Sequence, residues 1–211
     1  AKDAGGGTSW SVISASSVTP SMTASSGDWI FAIKLGKVAT ESIAPSVWDL
    51  HARATDNSNL SSGFNLWGKS VLWYGEANIL TANVNFGTVA LGSGFRSDVN
   101  RYTGCSSNFV SNGDYSIKTK SSATWLGTGN IATLDPTGNC VNPGEFAIMG
   151  HPSGIFGSAM LLDAVGIACM DGVQTLETGY DITTGTFWLK IASVFPVDVY
   201  SGNIIFFIVN R

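Results

Sequence analysis

Charged side chains are scarce in this chain. Asp, Glu, Lys and Arg make up 12% of its 211 residues, half of the ~25% usual for a soluble domain. The formal net charge is −4, and Lys and Arg stand singly, with Lys118 and Lys120 the nearest approach to a cluster. No basic stripe is present to neutralise a phosphate backbone, which argues against nucleic acid as a partner. Helix-forming polar residues are scarcer still: one Gln and four Glu occur in the whole chain, too few to build the solvent faces of an αβ alternation. The longest wholly apolar run, 204–209, falls far short of the ~20 residues that a membrane-crossing helix needs. The opening Ala1-Lys2-Asp3-Ala4-Gly5-Gly6-Gly7 has no apolar stretch of the kind a secretory leader carries, so the expectation is a product with no membrane partner, assembled in the cytoplasm.

Residues that do chemistry are also few. The three cysteines, Cys105, Cys140 and Cys169, have neither C-x-x-C spacing nor the even count of a disulfide framework. Cys169 lies in the apolar run 165–170 and reads as a small buried hydrophobe. Cys105 and Cys140 occupy Gly-, Ser- and Asn-rich stretches, where free thiols are expected in preference to a bridge between them. Neither His51 nor His151 has a second His or Cys at ligand spacing. His51 lies two residues after Asp49 on an expected strand and so shares its face. His151 sits in Gly150-His151-Pro152-Ser153-Gly154, which places the serine one position too late for a nucleophile elbow and reads as a turn.

Glu41, Glu76, Glu145 and Glu177 are too widely spaced to be paired as general acid and base. Asp56-Asn57-Ser58-Asn59 and Asp135-Pro136-Thr137-Gly138-Asn139 carry oxygen ligands but lack EF-hand spacing, and Asx-turns account for both. Gly63-Phe64-Asn65-Leu66-Trp67-Gly68-Lys69-Ser70 matches G-x-x-x-x-G-K-[ST]. Its approach is a polar loop, however, and the next segment, Val71-Leu72-Trp73-Tyr74, reads as strand where a phosphate loop requires a helix. Met160-Leu161-Leu162-Asp163 resembles a metal-holding strand end only as far as any short apolar run before an Asp does. No catalytic residue, cofactor site or metal site is assigned, and the chain reads as non-enzymatic.

What the chain does have is punctuation. Gly, Pro, Asn, Asp and Ser clusters separate segments of four to eight residues rich in Val, Ile, Phe, Trp and Thr, the rhythm of an antiparallel β domain. Strands are predicted over 28–34, 46–52, 79–85, 144–149, 165–170, 186–193 and 203–209. Weaker ones are predicted over 9–14, 71–75, 95–101, 115–118 and 123–126. One helical turn is allowed near 158–165. The fold class is all-β, an antiparallel, jelly-roll-like β-sandwich forming a single domain over 10–211, preceded by a flexible Gly-rich arm over 1–9.

Ile204, Ile205, Phe206 and Phe207 lie in a run without alternation or charge, which predicts cover on both faces, by the core or by a neighbouring subunit. These four are the candidate interface residues. Seven tryptophans are many for this length. Most are expected in the core or at subunit contacts, while Trp67 and Trp125, beside Gly-rich turns, are the candidates for stacking on a surface glycan.

The stretch Ser17-Val18-Thr19-Pro20-Ser21-Met22-Thr23-Ala24-Ser25-Ser26-Gly27-Asp28-Trp29-Ile30-Phe31-Ala32-Ile33 resembles a recurring opening of structural proteins of tailed bacteriophages, in which a Thr/Pro/Ser-rich approach reaches a Gly-Asp turn and an apolar strand. Asn100-Arg101-Tyr102-Thr103-Gly104 is similar to a second such element. The resemblance covers a minority of the chain and carries no functional residue. It implies a virion role, in capsid decoration or in a tail, with homo-oligomeric copies and other virion proteins as partners. The alternative is a carbohydrate-binding or receptor-binding β-sandwich module.

Overall fold

The computed structural model describes residues 10–13, 16–23, 27–42, 48–81 and 83–211, with the side chains of Val12, 18–22, Trp29, Leu50, Ala52 and 64–67 outside that description. The arm expected over 1–9 lies outside the described residues. Among them the chain is all-β, without an α-helix, and a 3-10 turn spans Phe156–Ser158. The strands are β1 (Trp10–Val12), β2 (Val18–Met22), β3 (Gly27–Ile30), β4 (Ile33–Leu35), β5 (Trp48–Thr55), β6 (Ser61–Lys69), β7 (Gly75–Ile79), β8 (Arg101–Ser111), β9 (Tyr115–Ser121), β10 (Thr124–Leu126), β11 (Ile131–Leu134), β12 (Glu145–His151), β13 (Met160–Leu161), β14 (Ile167–Gly172), β15 (Tyr180–Ile191) and β16 (Ile204–Asn210).

A large sheet runs β10-β11-β12-β15-β8-β7, with β13 added beside β12, and it curls into a half-barrel. A small sheet, β14-β9-β16, faces it. The expectation of purely antiparallel pairing needs one correction: β11 and β12 run parallel, Thr133 opposite Glu145 and Leu134 opposite Phe146. The large sheet is therefore mixed.

β15 is central because both of its faces are covered. Phe187, Leu189 and Ile191 point into the main core with Cys105, Leu134, Phe146, Ile148 and Leu162. Trp188, also buried, takes the other face, where Phe156 meets it edge-on at 5.4 Å. That double cover explains an apolar run without alternation. The small sheet closes the core from the opposite side. Phe206 meets Phe187 edge to face at 5.8 Å, and Tyr115 and Ile117 of β9 join Phe109 and Ile182 in a second cluster.

Other expectations fail for local reasons. Segment 79–85 alternates as expected, with Val84 packed on the core and Asn83 and Asn85 exposed, but beyond Ile79 it finds no partner strand and crosses the core as a loop. Segments 71–74 and 95–100 are likewise irregular. The helical turn allowed over 158–165 does not form: a 3-10 turn ends at Ser158, and Met160–Leu161 is the two-residue strand β13.

Two long hairpins precede this body. Residues 10–35 fold back with β1 on β4 and β2 on β3, and residues 48–69 pair β5 with β6 from Trp48–Lys69 to Thr55–Ser61. None of their described side chains belongs to a core cluster. The link between them, 36–42, is held to the body by Asn112, which is buried immediately after β8. Its Nδ2 donates to the carbonyls of Ala39 at 2.8 Å and Leu72 at 3.0 Å, its Oδ1 accepts from the Tyr74 N–H at 2.7 Å, and its backbone carbonyl accepts from the Glu41 N–H at 2.9 Å.

Replacing Asn112 by Ala orphans the buried Ala39 carbonyl and removes the bonds to the part-buried Leu72 carbonyl and Tyr74 N–H, so we expect a loss of about 2 kcal/mol in urea unfolding, a buried orphaned group costing ~1–3 kcal/mol. Asn112→Asp keeps only the acceptor half and should be at least as damaging. Losses well under 1 kcal/mol in both variants would mean that water replaces the junction.

Candidate assembly surface

In β16 the alternation hidden in the sequence becomes explicit. Ile204, Phe206 and Ile208 face the body, packing on the main core, the second cluster or both. Ile205, Phe207 and Val209 line the outer face of the small sheet, opposite Lys120, Lys118 and Ser116 of β9. Ile205 is exposed and Phe207 half-buried. The Phe207 ring sits on Gly166, whose φ of 128° and missing Cβ leave room for it, and the Lys120 ammonium lies 5.7 Å from the ring centroid. Of the four candidate interface residues, Ile204 and Phe206 are thus committed to the interior, while Ile205 and Phe207 remain on an apolar stripe facing outward.

Strand edges differ sharply in how they end. On β10, Leu126 and Ser201 exchange backbone hydrogen bonds at 2.8 and 2.9 Å, so a loop seals that edge. Asp198 fixes the loop: its Oδ2 accepts from the Gly129 N–H at 3.0 Å and from Asn130 Nδ2 at 3.2 Å, and its Oδ1 from the Val199 N–H at 2.8 Å. The outer edge of β16 runs beside β7, where Ile208 approaches Gly75. By contrast, the outer edge of β14 and the outer edges of both hairpins have no backbone ladder partner among the described residues.

Sequence reasoning missed the apolar exposure of the first hairpin. Phe31 is 60% exposed and Ile30 53%, and Ile13, Ile33 and Leu35 are exposed with them. The signal was present in 29–33, an apolar run between Asp28 and Lys34 with no polar side chain of its own to offer water. Leu60, at the tip of the second hairpin, is 70% exposed.

The glycan candidates fare differently. The side chain of Trp67 lies outside the described residues. Trp125 is half-buried, its indole ringed by Phe146 at 4.5 Å, Phe86 at 6.3 Å and the backbone of Gly202, where any Cβ would collide with the ring. It belongs to β10 and packs against the main core, and its buried Nε1–H has no hydrogen-bond partner among the described residues.

The remaining motifs resolve into structure. The phosphate-loop look-alike is extended: Gly63 to Lys69 lie in β6, with Gly63 opposite Arg53 and Gly68 opposite Asp49, so its amides do not curl around an anion. His151 Nδ1 accepts the N–H groups of Ser153 at 3.1 Å and Ile155 at 3.2 Å, which fixes a turn and leaves the proton on Nε2. His51 and Asp49 are both exposed on β5, and no hydrogen bond joins them. Asp56 and Asp135 each accept backbone N–H groups from their own turns, as Asx-turns require.

The three thiols are free. Cys105 faces the main core and Cys140 packs with Ala147 and Ala192 on the opposite face of the large sheet, so no bridge joins them. Cys105, Cys169 and His151 line a small cavity between the sheets. Burial pushes the Cys105 and Cys169 thiols up, and that of Cys140 to about 11, which removes them as ready nucleophiles. No three His, Cys, Asp or Glu side chains form a metal site among the described residues, and no helix there is long and apolar enough to cross a membrane.

Backbone N–H donors hold the Asp198 carboxyl well below the usual carboxylate range. A folded-state pKa below the unfolded one means that the stabilisation is complete above the ordinary value of ~3.9 and fades as pH falls below it. We therefore expect Asp198→Asn to loosen the turn at 127–130 at neutral pH, seen as faster amide exchange at Gly129, and the difference from the parent to shrink on acidification. A difference constant with pH would remove the charge as the cause. Comparison of the chain with protein-family models, with curated proteins and with solved structures finds no match.

Proposed function

We propose that the protein is a non-enzymatic structural subunit of a virus particle, a capsid, decoration or tail component of a tailed phage, acting by self-association and by contact with other virion proteins. The observation that carries this reading is the first third of the chain. Residues 10–35 and 48–69 form two-stranded hairpins that add nothing described to the core and turn Ile30, Phe31, Ile33, Leu35 and Leu60 to solvent. An isolated two-stranded hairpin is marginal in water and gains stability from further strands or a covering layer. A chain that devotes so much sequence to such elements fits a permanent assembly, where neighbours supply the cover.

The low charge agrees, since a surface of neutral polar groups offers little repulsion between copies. So does the outward stripe of Ile205, Phe207 and Val209. A jelly-roll-like antiparallel sandwich is the finer architecture that goes with this reading, supported by the facing of the two sheets across Phe187 and Phe206. The half-buried, ringed position of Trp125 lends no weight to a glycan platform.

Light scattering on the native chain tests the proposal. The expected result is a discrete closed multiple of 22.1 kDa that persists on dilution, weakened by Ile205→Asp, which changes an exposed side chain and leaves the core intact. A monomer at every concentration would overturn the reading.

A further inference from the structure

We infer that the two hairpins are intermolecular arms, and that what covers them is a second copy of this chain, each copy laying an arm along the open edge of β14 in its neighbour. The inference rests on the self-association proposed above and names its contact.

The arms are unfinished structures. Every described side chain from His51 to Gly63 is exposed, and over 51–63 the ladder between β5 and β6 leaves its outer N–H and C=O groups without a backbone partner among the described residues. The body has the reciprocal deficit. β14 pairs with β9 on one side only, and exposed apolar residues precede and follow it in the chain, Val165 at 81%, Val173 at 69% and Leu176 at 76%. An edge of this kind is a template for another strand. One molecular species therefore carries both halves of the contact, a strand that needs a sheet and a sheet edge that lacks a strand, and reciprocal exchange between copies satisfies both with no foreign protein.

The size is adequate. At ~3.3 Å per residue and ~4.8 Å between strands, a hairpin is about 25–40 Å long and ~10 Å wide. The faces of two such hairpins sum to on the order of 1,000 Å², against the ~800 Å² per partner of a stable interface. Charge does not oppose the approach: the only charged side chain in β14 is Asp171, engaged by Ser116 and by Arg211 at 3.6 Å.

Amide hydrogen exchange on the full chain, read alongside its mass by light scattering, tests this. In the assembled fraction the amides of both hairpins, β1 to β6, should be protected by about a hundredfold or more, and that protection should vanish on dilution to monomer, because a lone ladder opens at almost no cost. Ile33→Asp/Leu35→Asp, on the arm, and Val165→Asp/Val173→Asp, just before and just after β14, should each abolish assembly. All four residues are exposed, so the monomer should keep its fold, checked by thermal unfolding. Mixed together, the two variants retain one sound arm and one sound edge and should form a discrete two-chain species.

An assembly whose hairpin amides stay unprotected would overturn the arm-exchange inference and leave self-association standing. A chain that never assembles would overturn both. Hairpins protected in a strict monomer would show that the arms fold onto their own body, and an edge variant that still assembles would show arms pairing with arms; either result overturns the exchange.

Discussion

Phe187 and Phe206 meet edge to face, and through that contact the half-barrel sheet closes on the small sheet. Such a pair contributes ~0.5–1.5 kcal/mol beyond the area it buries, but its larger effect is positional. It fixes which side of β15 and which side of β16 point inward. With Phe187 inside, Trp188 must lie on the outer face of the large sheet and find separate cover from Phe156. With Phe206 inside, Ile205 and Phe207 must lie outside. The apolar stripe on the small sheet comes from the same packing decision that builds the core, because strand side chains alternate.

The second organising contact is polar. Asn112 sits where β8 ends and commits both of its amide functions to backbone from two segments, at Ala39 and at Leu72 and Tyr74. A buried amide satisfied in this way costs little to keep and much to remove. Neighbouring bonds reinforce it: Gln174 donates to the Val38 carbonyl, the Lys37 ammonium pairs with Glu76 at 2.6 Å, and Asn210 donates to Glu41 at 3.1 Å. The link between the hairpins is therefore held at its root, and the Trp48 indole N–H at the start of the second hairpin donates to its Thr40 carbonyl at 2.9 Å.

Much of the β class was legible in the sequence, through turn residues and short apolar segments, and β5, β9, β10, β12, β14 and β16 fall close to where periodicity places them. The central strand β8 was not. Its inward positions are Cys105, Ser107, Phe109 and Ser111, and three of the four are small. A strand that packs small side chains beneath the large ones of β15 and β16 gives almost no period-two hydrophobic signal, although it is among the most buried. The converse holds at 79–85, where alternation reports burial correctly and secondary structure wrongly. The glycines of β6 suggest a turn, and only its register with β5, which no local pattern encodes, makes it extended. Of the candidate surface, the 204–207 run was legible as a segment, but which of its residues point outward depended on the pairing with β9.

Charge plays a minor part in this molecule. The ion pairs Lys37–Glu76, Arg96–Asp98 and Arg211–Asp171 are all solvent-exposed, a class that contributes little to stability. Asp198 is occupied with the turn at 127–130 and Asp135 with its own turn. Cohesion within the chain comes instead from apolar burial and backbone ladders, and the surface left over offers a neighbour the same two kinds of contact, through open strand edges and exposed Ile, Val, Leu and Phe. Contacts of that kind are not weakened by screening, unlike those between exposed charges, which are screened beyond ~10 Å at moderate ionic strength. They are also indifferent to the sign of the partner. In the arm exchange proposed above, selection among partners would rest on register and shape, which a long hairpin laid along a strand edge specifies at every second residue, since a slip of one residue turns each apolar side chain to the wrong face.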